Sequence, residues 1–148
     1  MLSSLIKLLL ADDDNDDCLL FRDALEELPI NADLTIVNNG EQLMEFLQKS
    51  ELLPSVLFLD LNMPRKNGFE CLCEIRQNET MDTLPVIIFS TSFNHEIVRQ
   101  LYQNGAHYYI RKPNEFEELK NTIQTAVSYV TKEGLSKPAF EDFVLISK

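Results

Sequence analysis

Five polar side chains stand just after short apolar runs. Asp12 and Asp13 follow Leu-Leu-Leu-Ala11, Asp60 follows Val-Leu-Phe-Leu59, Ser90 follows Val-Ile-Ile-Phe89, and Lys112 follows Tyr-Tyr-Ile-Arg111. Brought together they would offer three carboxylates, a hydroxyl and an ammonium. Carboxylates ~4 Å apart repel by about 4 kcal/mol per pair at an effective dielectric near 20, so either one holds a proton or a cation sits among them. Hard oxygen donors with no neighbouring His or Cys favour Mg2+ (or Mn2+) over zinc. Such a cation screens the repulsion between a carboxylate nucleophile and an incoming phosphoryl group. Lys112 can hold one phosphoryl oxygen and Ser90 another. The chemistry that suits the set is attack of a carboxylate on phosphorus, giving an aspartyl phosphate. Spacing along the chain does not bring these groups together; the elements that carry them must.

Strands are expected at 5–11, 33–38, 55–60, 85–90 and 107–111, three of them near-continuous apolar runs that suit burial on both faces. Helical stripes lie between them. Cys18, Phe21, Leu25 and Leu28 share one face of a helix at about 15–28, and Phe116, Leu119, Ile123, Ala126 and Val130 share one face of another at about 115–131. Gly40, Gly68 and Gly105 punctuate element ends, and Gly134 with Pro138 stops the last helix. Five strands alternating with five helices predict an α/β fold, a doubly wound five-stranded parallel sheet. In such a sheet ligands bind beyond the carboxyl ends of the strands, where all five polar groups would meet.

At 148 residues the chain is one domain's length, and about 69% of its surface can be buried on folding. Charge is its unusual term: 13 basic against 24 acidic residues leave −11, which opposes binding to a phosphate backbone and argues against a nucleic-acid partner. No apolar run is long enough to span a membrane. The first eleven residues resemble a signal peptide only faintly, lacking a basic start, so they read as mature protein. Cys18, Cys71 and Cys73 cannot all pair, and without an export signal they are expected as reduced thiols in the cytoplasm. Cys71 and Cys73 lie about 200° apart around a helix and cannot share a metal.

Taken together, the motifs resemble the receiver domains of two-component response regulators, over about residues 5–130. The acidic pair Asp12-Asp13, the loop Asp60-Leu-Asn-Met-Pro64-Arg-Lys-Asn-Gly68, Ser90-Thr91, and Gly105-Ala-His-Tyr-Tyr109-Ile-Arg-Lys112-Pro113 carry the likeness, in order and at the strand ends. The resemblance implies a flavodoxin-like (βα)5 fold with strand order 2-1-3-4-5. It implies Asp60 as phosphoacceptor and a Mg2+ (or Mn2+) site from Asp13, Asp60 and the backbone carbonyl of Asn62, with Asp12 acting through a bound water. Lys112 would contact the phosphoryl group, Ser90 would be the switch hydroxyl, and Tyr109 a switch aromatic that swings inward. A cis Lys112–Pro113 bond is implied too. The phosphoryl donor would be a sensor histidine kinase, and output would pass by protein contact to a phosphotransfer or effector protein. Asp12 stands where Glu is common and Ser90 where Thr is usual; both keep the needed group.

The domain is expected at 4–131. Residues 132–148 form a tail too short for an effector domain, whose cluster Phe140, Phe143, Val144, Leu145 and Ile146 either packs back on the body or meets a partner, a homodimer included. The acidic run has a plainer use as well. Asp14 or Asn15 can cap the first helix, with Asp16 and Asp17 favourable in its first turn. An EF-hand fails, because Asp17 stands where that loop needs Gly and Asp23 where it needs Glu. His95 and His107 read as ordinary polar residues. A haloacid-dehalogenase-type phosphatase would need a second Asp at the position of Asn62. A flavodoxin-like electron carrier would need a phosphate-cradling first loop, not an acidic one. A phosphotransfer shuttle or phosphate sink stays open.

Overall fold

A computed structural model describes residues 5–133 and 137–145. Strands and helices alternate: β1 (Ile6–Ala11), α1 (Asn15–Glu26), β2 (Ala32–Val37), α2 (Gly40–Lys49), β3 (Val56–Leu59), α3 (Gly68–Gln77), β4 (Val86–Ser90), α4 (His95–Gln103), β5 (Tyr108–Arg111) and α5 (Phe116–Glu133). A 3₁₀ turn, Phe140–Asp142, leads into β6 (Val144–Leu145). All strands are parallel, in the order β2-β1-β3-β4-β5-β6.

Among the described residues the sheet therefore has six strands, one more than the five expected. The chain returns beyond α5 along the free edge of β5, pairing Tyr109 with Val144 and Ile110 with Leu145. A two-residue strand has no period to read in sequence. It is held by what precedes it: Phe143 is fully buried, and its carbonyl accepts from Tyr109 N at 3.0 Å. Of the two tail readings, packing back on the body is the one seen for 137–145. Ile146 and Gly134 lie outside the described residues.

Alternation along the strands splits the core into two layers. Leu8, Leu10, Val56, Phe58, Ile87 and Phe89 face α1 and α5, whereas Leu9, Ala11, Leu57, Leu59, Val86 and Ile88 face α2, α3 and α4. On the first face Phe21, Phe58 and Phe89 meet edge to face, with centroids 5.0, 5.6 and 6.3 Å apart. Such pairs contribute about 0.5–1.5 kcal/mol each beyond their area. Helix starts are set by side-chain caps. Asp14 Oδ1 accepts from the backbone N of Asp16 and Asp17 at 2.9 and 3.1 Å, the capping role expected of it. Asn67 and Glu70 form a reciprocal capping box at α3.

Gly68, the first residue of α3, is required by close approach rather than by conformation. A Cβ there would stand 2.2 Å from the Asp60 carbonyl oxygen, so the loop after β3 closes tightly only over a glycine. All described peptide bonds are trans, Lys112–Pro113 included, against the cis bond expected. Trans is the lower-energy isomer of an X–Pro bond by about 0.5–1 kcal/mol.

Candidate functional site

Register brings the acidic residues together. Ala11 pairs with Leu59, so Asp12 and Asp60 leave the sheet side by side, and Asp60 N donates to Ala11 O at 2.9 Å. On the other side Ser90 ends β4, and Lys112 N donates to Ser90 O at 2.9 Å, which aims the lysine back across the strand ends. Asp12, Asp60 and Ser90 are buried, whereas Asp13 and Asn62 are exposed.

Lys112 is the hub. Its Nζ lies 2.8 Å from Asp12 Oδ2, 2.8 Å from Asp17 Oδ2 and 3.6 Å from Asp60 Oδ2. Its ammonium also sits 5.5 Å from the centroid of the Phe89 ring. Burial works against that charge, but Asp12, Asp17 and Asp60 outweigh it, and the lysine pKa is raised. Asp60 shows the opposite balance. Burial raises its pKa, Lys112 lowers it, and Asp12 raises it again, leaving the carboxyl at about 6.

Asp12 Oδ2 is fully buried and ion-paired with the Lys112 ammonium at 2.8 Å, and among the described residues it has no other donor. One oxygen from each of Asp12, Asp13 and Asp60 lies within 4.8 Å of the others. An octahedral ion with bonds of about 2.0–2.1 Å spans its ligands over about 2.9–4.2 Å, so this all-oxygen set suits Mg2+ or Mn2+ with a small contraction. The Asn62 amide N reaches Asp60 Oδ1 at 3.5 Å, and its side chain donates to Ser92 Oγ at 3.0 Å.

Ser90 Oγ accepts from Ser92 N at 3.2 Å and is enclosed. The Tyr109 ring, expected to swing inward, already lies inside, 1% exposed, with its hydroxyl donating to Ser92 O. Phe93 and Phe143 meet it edge on, at 5.8 and 6.4 Å. Two participants escaped the sequence reading. In sequence Asp17 reads only as a first-turn charge, although its helical phase also turns it toward Lys112. Phe143 was one of a tail cluster, and nothing in its spacing points at Tyr109.

The profile of the response regulator receiver domain matches residues 8–124. This chain belongs to that family. The receiver domain is similar to the response regulator Rcp1 of Synechocystis, 32% identical over 82% of this chain and 86% of that protein. It is also similar to the probable methanogenesis regulatory protein FilR2 of Methanothrix harundinacea, 30% identical over 82% of this chain and 81% of that one. Among solved structures, that of the phosphorylated cyanobacterial phytochrome response regulator RcpA superposes with a TM-score of 0.81, at 26% identity over 92% of this chain and all of that one. The Mn2+-bound form of Rcp1 gives 0.73 at 29% identity, over 90% of this chain and 99% of that one. Among the described residues, no helix of this receiver is long and apolar enough to cross a membrane.

Proposed function

We propose that this receiver takes a phosphoryl group from the phosphohistidine of a sensor histidine kinase onto Asp60, in a Mg2+- or Mn2+-dependent reaction, and signals through protein contacts. The observation that carries the reading is the Asp60 carboxylate, buried at a strand end between a carboxylate pair and an ammonium. Phosphorylated RcpA and Mn2+-bound Rcp1, both of this fold, support it.

A carboxylate oxygen of Asp60 attacks phosphorus, and the bond to the leaving imidazole nitrogen breaks as the new P–O bond forms. Asp12, Asp13, Asp60 and the Asn62 carbonyl are the groups that would hold the cation, which when bound neutralises charge between nucleophile and phosphoryl oxygens. Lys112 supplies a positive charge from the opposite side, and Ser90 a hydroxyl that donates to a phosphoryl oxygen. Charge-assisted bonds of that kind are about twice as strong as neutral ones, which lets a phosphoryl group draw Ser90 away from Ser92 N. The dehalogenase-type reading is disfavoured because Asn62 carries an amide, which has no acidic proton for a leaving group.

Incubation with acetyl phosphate should add the mass of one phosphoryl group, only with Mg2+ or Mn2+, and Asp60→Asn should abolish it. Equal labelling of Asp60→Asn and parent overturns the assignment.

A further inference from the structure

Asp17 sits in the first turn of α1, where any carboxylate gains from the helix dipole. Its contacts go further. Its backbone N is held by Asp14 Oδ1 at 3.1 Å, and its Oδ2 accepts an aligned hydrogen bond from Lys112 Nζ at 2.8 Å, across 95 positions of sequence. The Asp60 oxygen stands farther from the same ammonium, at 3.6 Å, outside hydrogen-bond range. The Lys112 side chain is 9% exposed and that of Asp17 30%, so the pair is shielded on the lysine side. One buried cation thus faces three carboxylates, and the two that it touches are not the one that reacts.

We propose that Asp17 is a positioning residue for Lys112: it draws the ammonium to the α1 side, off the Asp60 carboxylate, and gives it up when Asp60 carries a phosphoryl group. The proposal rests on the phosphoacceptor reading of Asp60. A phosphoryl group adds charge to Asp60 and competes for the ammonium. Every contact that Lys112 keeps with Asp17 is then lost to the phosphoryl oxygens, so Asp17 tunes how firmly the phosphorylated state is held. A charge that served the helix alone would have no such effect, and Asp16, in the same turn, supplies that comparison.

The test uses Asp17→Asn, Asp16→Asn and Asp17→Glu in the full chain. In metal-free protein the Lys112 side-chain ammonium signal, followed by nitrogen-15 NMR, should shift in Asp17→Asn and stay in place in Asp16→Asn. With Mg2+ and beryllofluoride as the phosphoryl mimic, Asp17→Asn should bind about three- to tenfold tighter than parent, a gain of roughly 0.6–1.4 kcal/mol. Asp17→Glu should return to within about twofold. An unmoved Lys112 signal, or equal tightening in Asp16→Asn, overturns this proposal alone. A parent that binds no beryllofluoride, or an Asp60→Asn that binds it as well, overturns the phosphoacceptor reading and this proposal with it.

Discussion

Tyr109 and Phe143 are joined twice. The backbone N of Tyr109 donates to the carbonyl of Phe143 at 3.0 Å, and their rings meet edge on at 6.4 Å. The strand that leads to Lys112 therefore carries the C-terminal segment along its outer edge. Tyr102 anchors the same segment from α4, donating its hydroxyl to Pro138 O at 2.7 Å and stacking edge on against Phe140 and Phe143. The face made by α4 and β5 is thus partly roofed by the chain's own tail.

Phe143→Ala should loosen that roof as a unit. Because the segment can lift away instead of leaving a cavity, the cost is bounded by its docking free energy, several kcal/mol at about 1.5–3 kcal/mol per buried side chain. Phe143→Ala and deletion of 137–148 should lower the unfolding midpoint by similar amounts and expose Tyr109 to quenchers. The chain has four tyrosines and no tryptophan, so tyrosine emission reads this directly. Labelling of Asp60 should persist. A truncated chain that melts like the parent would show that the segment contributes nothing.

Asp60 should destabilise the metal-free fold at neutral pH. Its folded-state pKa is raised from the ordinary 3.8 to about 6, by burial first and then by Asp12 against the opposing pull of Lys112. The folded state therefore binds the proton more tightly than the unfolded chain, and stability falls as pH rises from about 4 through about 6. Above that window the penalty is fully present, on the order of 1–3 kcal/mol. In a chelating buffer, Asp60→Asn should be more stable than parent at pH 7.5, and the difference should close toward pH 4.5. Urea unfolding at the two values checks it; a constant difference between them would refute the buried-charge account.

Ser90→Ala should uncouple labelling from response. Ser90 Oγ holds Ser92 N, and Ser92 O in turn accepts from the Tyr109 hydroxyl, so a phosphoryl oxygen that captures Ser90 perturbs both links. The coupling should be worth about 1–3 kcal/mol. Ser90→Ala should still take up phosphoryl at Asp60, while beryllofluoride-induced NMR shifts at Ser92 and Tyr109 fall by more than half. Undiminished shifts would mean that the signal runs by another route.

The alternation, the two-sided burial of the sheet and the strand ends were legible in the residues alone. Runs such as Val56–Leu59 and Val86–Ser90 have little freedom: an apolar stretch with no period 3.6 must be covered on both faces, and the polar residue that follows must emerge at the rim. From that, Asp12, Asp13, Asp60, Ser90 and Lys112 fall on one rim whatever the details. Packing between distant elements settled what no local pattern holds. Val144 and Leu145 became a sixth strand because Phe143 found a buried place between Tyr102 and Tyr109, a contact between residues dozens of positions apart. Asp17 carries a first-turn charge in any α1, but only the packing of α1 against α5, with Lys112 reaching back across the strand ends, sets it 2.8 Å from Lys112 rather than in water. Local sequence sets each element's period and ends, through backbone geometry and burial. Which carboxylates hold the ammonium turns on the difference between 2.8 Å and 3.6 Å, and those distances are fixed only when all the elements pack at once.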